Sequence, residues 1–227
     1  MEKYTHILQS IPLFQGIASG DYPALLSCLG TRIAHYGKGE FASLRGDTLH
    51  AVGIVLDGRV QVIKEDVFGN RAILNDLDVG SVFGESFVCG GNYALSVSVQ
   101  TAESSTILFL PFDKVMQTCP NACGFHSMLI KNMVVMIARK NIRLVEKLEI
   151  TTKRSLREKI LSYLSHLAQE QRSSEIKSPL GRVDLADFLG VDRSALTREL
   201  NRMAADGVIA YSKNTFTLLG VAVLHGE

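Results

Sequence analysis

From residue 32 to residue 111 the chain is written in short β-rich runs: HYGKGEFASLRGD, AVGIVLDGRVQVIKEDVFGNRAILNDLDVGSVFGE and LSVSVQTAESSTILFLP. Gly, Asp and Asn cut these runs at intervals of about ten residues. DGRV, FGNR and DVGS read as turns between alternating strands. Such a series points to a sandwich or barrel rather than a parallel sheet. Ahead of it, residues 1–30 form a short helical lead-in whose apolar spacing is set by Leu8, Leu13, Phe14, Leu25, Leu26 and Leu29.

After Pro111 the pattern turns helical. A short helix is expected over Phe112–Gln117 and a long one from about Asn121 to Glu149. Within the long one, Ile130, Val134, Ile137, Asn141, Leu144 and Leu148 step by four and three alternately, a heptad seam. Asn141 is its one polar member, and a single buried Asn in a paired coil fixes register and partner number. The narrow stripe suits a two-helix contact; the other reading is a long helix packed on its own domain with Asn141 facing solvent. A helix at about 155–170 follows, and then QRSSEIKSPLG reads as a loop.

The stretch VDLADFLGVDRSALTRELNRM, residues 183–203, reads as two helices folded about a glycine. Ala186 is the small residue over which the second helix can cross. Gly190 leaves the first helix through a left-handed turn, and Leu196 anchors the second. Asp192 can cap that second helix, expected over 192–205, with Leu196, Leu200 and Met203 inside. Arg193, Ser194, Thr197, Arg198 and Asn201 then face outward, side chains able to bond base edges and phosphates from the major groove. ADGVIAYSKNTFTLLG continues as a turn and two short strands, a wing with Lys213 and Asn214 at its tip.

Net charge is +1 over 227 residues, which neither demands nor excludes a nucleic-acid partner. From Thr151 onward, 11 Lys and Arg stand against 9 Asp and Glu, a net of +2. The N-terminus lacks the basic and apolar regions of a secretion signal, and MVVMIA at 133–138 is too short to span a bilayer. Four scattered cysteines, Cys28, Cys89, Cys119 and Cys123, argue against a disulfide framework and for a reducing cytoplasm. The spacing of Cys119 and Cys123 gives a C-x3-C with no second close pair, so neither a zinc site nor an iron–sulfur cluster is expected, and no metal ligands are assigned.

Taken in order, YGKGEFASLRGD and VLDGRVQVIKEDVFGNRAILNDLDVGSVFGE, the long helix, and LADFLGVDRSALTREL make a chain that resembles the Crp/Fnr superfamily of bacterial transcription regulators. The resemblance implies an α+β fold. Its parts are an N-terminal double-stranded β-roll of the cyclic-nucleotide-binding, jelly-roll type over 1–120, a dimerisation helix over 121–150, and a winged helix-turn-helix over 151–227. It implies a homodimer on double-stranded DNA, with an effector in the roll reorienting the DNA-binding domains and, for an activator, contact with RNA polymerase. A differential of a few kcal/mol between two domain arrangements suffices for that shift.

Cyclic-AMP-binding members carry a Gly-Glu pair followed by an Arg-Ser pair that clamps phosphate and ribose. Gly84 and Glu85 match the first pair. The stretch matching the second reads CGGNYALSVSV, with no Arg or Lys between Arg71 and Lys114. A buried phosphate without a cation is costly. Leu144 and Val145 also stand where those members place hydroxyl residues facing adenine. Cyclic AMP is therefore disfavoured, and a ligand for a more apolar cavity beside Gly84, Glu85, Leu144 and Val145 is expected. Glu85 can equally be a turn carboxylate satisfied by backbone N–H groups. Residues 1–27 contain no Cys, so the oxygen-sensing branch's iron–sulfur arrangement is absent. Haem, used by gas-sensing relatives, would have His6, His35, His50 or His126 as axial ligand.

On the reading helix the family usually places Glu-x-x-x-Arg. Arg198 keeps the Arg, while Ser194 replaces the carboxylate. Arg193 and Arg198 are the best guanine readers, Thr197 can offer its methyl to thymine, and an inverted repeat with half-sites one helical turn apart is expected. A cupin-like enzyme would need a clustered His/Glu set on the roll, which holds only His35 and His50, so the chain is not read as an enzyme. A module regulating another protein would not need the helix-turn-helix.

Overall fold

The computed structural model describes residues 2–66, 68–91, 94–117 and 124–219. The lead-in consists of α1 (Thr5–Ser10) and α2 (Tyr22–Cys28), joined through a 3-10 turn at Pro12–Phe14. Leu8, Leu13, Phe14, Leu25, Leu26 and Leu29 are all buried. The Phe14 and Tyr22 rings meet edge to face at 5.5 Å.

Eight strands follow: β1 (Arg32–Tyr36), β2 (Phe41–Ser43), β3 (Ala51–Asp57), β4 (Val60–Glu65), β5 (Arg71–Leu77), β6 (Val82–Phe83), β7 (Ser98–Thr101) and β8 (Ser105–Pro111). They form two four-stranded sheets, ordered β1-β8-β3-β6 and β2-β7-β4-β5, and every strand pair is antiparallel. The antiparallel two-sheet arrangement agrees with the sandwich or barrel expected from the turn spacing and with the roll that the resemblance implies. FGNR closes a true hairpin, β4 on β5, whereas DGRV carries the chain from β3 in one sheet to β4 in the other. Such a connection makes a roll out of two sheets instead of a meander.

The runs VGIVL and ILFL are apolar at nearly every position because β3 and β8 are covered on both faces. Val52, Ile54, Leu56, Leu108 and Leu110 pack with the lead-in helices. Val55, Ile107 and Phe109 point the other way and meet Val60, Leu77, Phe83 and Val99. At about 25 cal/mol per Å2 of apolar area, these two layers are the roll's main source of stability. A short helix, α3 (Glu85–Cys89), follows β6, and α4 (Phe112–Met116) follows β8.

The long helix α5 spans Gly124–Thr151; residues 121–123, its expected first turn, lie outside the described residues. Leu129, Met133 and Met136 are buried with the roll core. Those three lie on a stripe different from the heptad seam. Of the seam, Ile130 and Ile137 are half-buried, while Val134, Asn141, Leu144 and Leu148 are exposed. The helix therefore packs on its own domain and keeps a second apolar stripe uncovered. Contacts divide the chain into two units, Met1–Arg139 and Lys140–Glu227, so α5 contributes to both.

In the second unit, α6 (Leu156–Gln171) opens with a capping box between Ser155 and Glu158. QRSSEIKSPLG, expected as a loop, contains a strand, β9 (Glu175–Lys177). Arg172 closes α6 in a left-handed conformation at φ 48°. Ile176 is then fully buried between exposed Glu175 and Lys177. Three residues give one inward side chain, too little for a detectable period. Next come α7 (Arg182–Leu189), α8 (Arg193–Ala205), β10 (Ile209–Ser212) and β11 (Thr215–Leu218). The sheet order β10-β11-β9 makes the wing three-stranded.

Candidate nucleic-acid interface

Gly190 ends α7 at φ 65°, the left-handed conformation that costs glycine little, and Val191 N–H donates back to the Ala186 carbonyl at 3.0 Å. Ala186 and Leu189 are buried, which lets α7 and α8 pack closely. Asp192 accepts from the Ser194 N–H at 3.4 Å at the head of α8. Leu196, Leu200 and Met203 are fully buried, so the opposite face of α8 is turned to solvent. Arg193, Ser194, Thr197, Arg198 and Asn201 all lie exposed on that face. Thr197 Oγ1 donates to the Arg193 carbonyl at 2.9 Å, and Arg198 Nε donates to the Ser194 carbonyl at 3.3 Å.

Two supports of α8 left no mark in the sequence pattern. Arg157, on α6, donates through Nε to Glu199 at 2.8 Å and through Nη2 to Asp206 at 2.5 Å. The bond to Glu199, then the bond to Asp206, raises the guanidinium above its ordinary value. Arg202 lies 3.7 Å from the same Glu199 carboxylate and is largely exposed. The second support is the wing. Lys213 sits exposed at its tip with φ 52°, and its carbonyl accepts from Arg182 Nη2 at 2.9 Å. The Arg182 guanidinium lies over the Tyr211 ring at 5.0 Å and the Phe216 ring at 5.5 Å. Those rings are stacked at 5.8 Å. The Tyr211 hydroxyl donates to Asn201 Oδ1 at 2.6 Å.

In the roll, Gly84 adopts φ 81° and Glu85 is buried as the first residue of α3. The Cys89 Sγ–H donates to Met133 Sδ at 3.8 Å. Burial, and after it the Glu85 charge, pushes the Cys89 thiol up. Between the two sheets the packed core is apolar: Val55, Val60, Phe83, Val99, Ile107 and Phe109, with Val62 and Tyr36 packed against them. Leu144 and Val145, expected beside Glu85, are exposed members of the second unit. His6, His35 and His50 are exposed on three separate segments, and His126 is buried near the start of α5. His35 Nδ1 lies 3.0 Å from Thr106 Oγ1. Cys28 and Cys89 are both exposed; Cys119 and Cys123 lie outside the described residues. Among the described residues no group of three or more His, Cys, Asp or Glu is placed to hold a metal. None of their helices is long and apolar enough to cross a membrane.

Two family models match. The Crp-like helix-turn-helix domain covers residues 158–225, and the cyclic nucleotide-binding domain covers residues 33–121. A cyclic nucleotide-binding domain followed by a Crp-like helix-turn-helix domain supports a regulator of the Crp/Fnr family. The Crp/Fnr homologues are transcription regulators and not enzymes. The chain is 23% identical to the cyclic AMP receptor protein of Thermus thermophilus over 96% of both chains. Its fold is similar to that of the c-di-GMP responsive global regulator CLP of Xanthomonas campestris, with a TM-score of 0.54 and 17% identity over 90% of this chain and 100% of that one. It is also similar to the sensor domain of the transcriptional regulator DNR of Pseudomonas aeruginosa. There the TM-score is 0.52 at 16% identity, over 68% of this chain and 96% of that one. The chain is thus a ligand-responsive transcription regulator with a DNA-binding helix-turn-helix.

Proposed function

We propose that this regulator acts as a homodimer on an inverted-repeat operator, with α8 in the major groove and a non-nucleotide effector in the roll. The observation that carries the operator reading is the division of α8. One face holds buried Leu196, Leu200 and Met203; the other offers exposed Arg193, Ser194, Thr197, Arg198 and Asn201. Two arginines, a threonine and an asparagine are base-reading chemistry. Lys213 at the wing tip adds a cation for phosphate. Homodimerisation is supported by the uncovered stripe on α5. Exposed Val134, Leu144 and Leu148 cost free energy in water, and a second copy of α5 buries them around Asn141.

The effector reading rests on the apolar character of the layer between the sheets and on the absence of Lys or Arg from residues 72–113. A cyclic phosphate bound beside that stretch would find no cation within it. An uncharged or weakly polar ligand that orders the roll matches that layer. Selection from a pool of random duplexes tests the operator reading. The expected product is a palindrome with half-sites about 10 base pairs apart centre to centre, bound less tightly as salt rises. Recovery of unrelated sequences would overturn it.

A further inference from the structure

We propose that Tyr211, which stands on the wing and not on α8, is a specificity-determining positioning residue: its hydroxyl fixes the Asn201 amide so that the amide nitrogen is what meets DNA. This rests on the operator reading above. Asn201 lies on the outward face of α8. Its Oδ1 already accepts from the Tyr211 hydroxyl at 2.6 Å. An asparagine that reads adenine uses Oδ1 for the N6 amine and Nδ2 for N7 together. That bond occupies one of the two Oδ1 lone pairs and turns the oxygen toward the wing, so the Nδ2 hydrogens are the half of the amide left to meet DNA. They suit acceptor-only edges: guanine O6 and N7, or thymine O4.

The tyrosine is itself held, which makes the orientation a property of the fold. Its ring stacks on Phe216 at 5.8 Å, and the Arg182 guanidinium covers both rings at 5.0 and 5.5 Å. Arg182 also donates to the Lys213 carbonyl at 2.9 Å. The first residue of α7, the wing and the reading helix therefore form one chain of contacts ending at the Asn201 amide. A side chain locked in this way discriminates between bases better than one that rotates freely, because no ordering entropy is lost on binding.

The test is a panel of operator duplexes, substituted one base pair at a time, bound by the full chain and by Tyr211→Phe, Asn201→Ala, Asn201→Asp and the Tyr211→Phe/Asn201→Ala double variant. Phenylalanine keeps the stacked ring and removes only the hydroxyl. Asn201→Ala is expected to identify one base pair whose contacted base is guanine or thymine. Tyr211→Phe should relax discrimination there by about five-fold, the worth of one hydrogen bond, with an unchanged salt slope and no further effect on top of Asn201→Ala. Asn201→Asp keeps the oxygens and loses the N–H donors, so it should lose the preference as the alanine variant does. Adenine preferred at that pair, additive effects of the two substitutions, retained preference in Asn201→Asp, or no pair responding to Asn201→Ala would each overturn the proposal. Absence of sequence preference in the unsubstituted chain would instead remove the operator reading, and this inference with it.

Discussion

Phe83 packs its ring directly on Gly53: a Cβ added at Gly53 would stand 2.2 Å from Phe83 Cζ. The two residues pair across β3 and β6, and the same ring meets Phe109 edge to face at 6.4 Å. Glycine is required at position 53 by this close approach and not by its backbone angles. Gly53→Ala is therefore expected to destabilise the roll by about 1–3 kcal/mol through overpacking. Adding Phe83→Leu should recover part of that loss in urea unfolding. A Gly53→Ala protein as stable as the parent would show that the ring moves aside freely.

Gly190 makes the opposite argument. Nothing lies within 4 Å of a Cβ built there, yet its φ is +65°. Gly190→Ala pays only the left-handed backbone cost, about 1–2 kcal/mol. Asparagine, which tolerates that region, should cost less than alanine. Thermal unfolding of the two variants checks the order.

How much of this was legible beforehand divides along one line. Features that repeat locally were readable: the turn spacing of the roll, the Ala186–Gly190–Leu196 corner, and the outward set from Arg193 to Asn201. Features made by distant residues were not. Arg157 and Glu199 are 42 positions apart, and Cys89 and Met133 are 44 apart. Such pairs leave no period in the chain. The strand Glu175–Lys177 was missed because its one buried residue, Ile176, is apolar in a polar segment and only pairing with β11 reveals its role. The seam on α5 was visible, but the second stripe through Leu129, Met133 and Met136 was masked by an apolar run with residues on both faces.

The seam yields its own prediction. Leu148→Glu places a charge on the uncovered stripe and should weaken self-association by ten-fold or more, since burying a leucine is worth about 1.5–3 kcal/mol. Asn141→Leu should keep or tighten association while loosening its register. Sedimentation velocity over a concentration series reads both. A clean monomer for Asn141→Leu would contradict the register.

Arg198 is expected to contact a guanine. Arg198→Ala should cost about 1–3 kcal/mol of specific binding and relax the preference at one base pair, with non-specific binding nearly unchanged. Fluorescence anisotropy on matched and substituted duplexes measures the difference. Unchanged operator preference would move the reading face elsewhere on α8.

Although part of Cys89 is exposed, its thiol, set against Met133, titrates high, first through loss of water around it and second through the Glu85 charge. A raised thiol favours the protonated form, so the stability it contributes is present below the ordinary thiol pKa of about 8.5 and is lost as pH rises through the folded value. Alkylation of Cys89, resolved by mass spectrometry, should accelerate with pH later than a free cysteine does. Glu85→Gln should bring that rise to lower pH without restoring it fully, because burial remains.

The most direct measurement is a hydroxyl-radical footprint of the chain on its selected operator. Two protected windows related by a two-fold axis and about one helical turn apart, both weakened by Arg198→Ala, are the predicted result. A single protected window, or protection indifferent to Arg198, would contradict a dimer that reads DNA through α8.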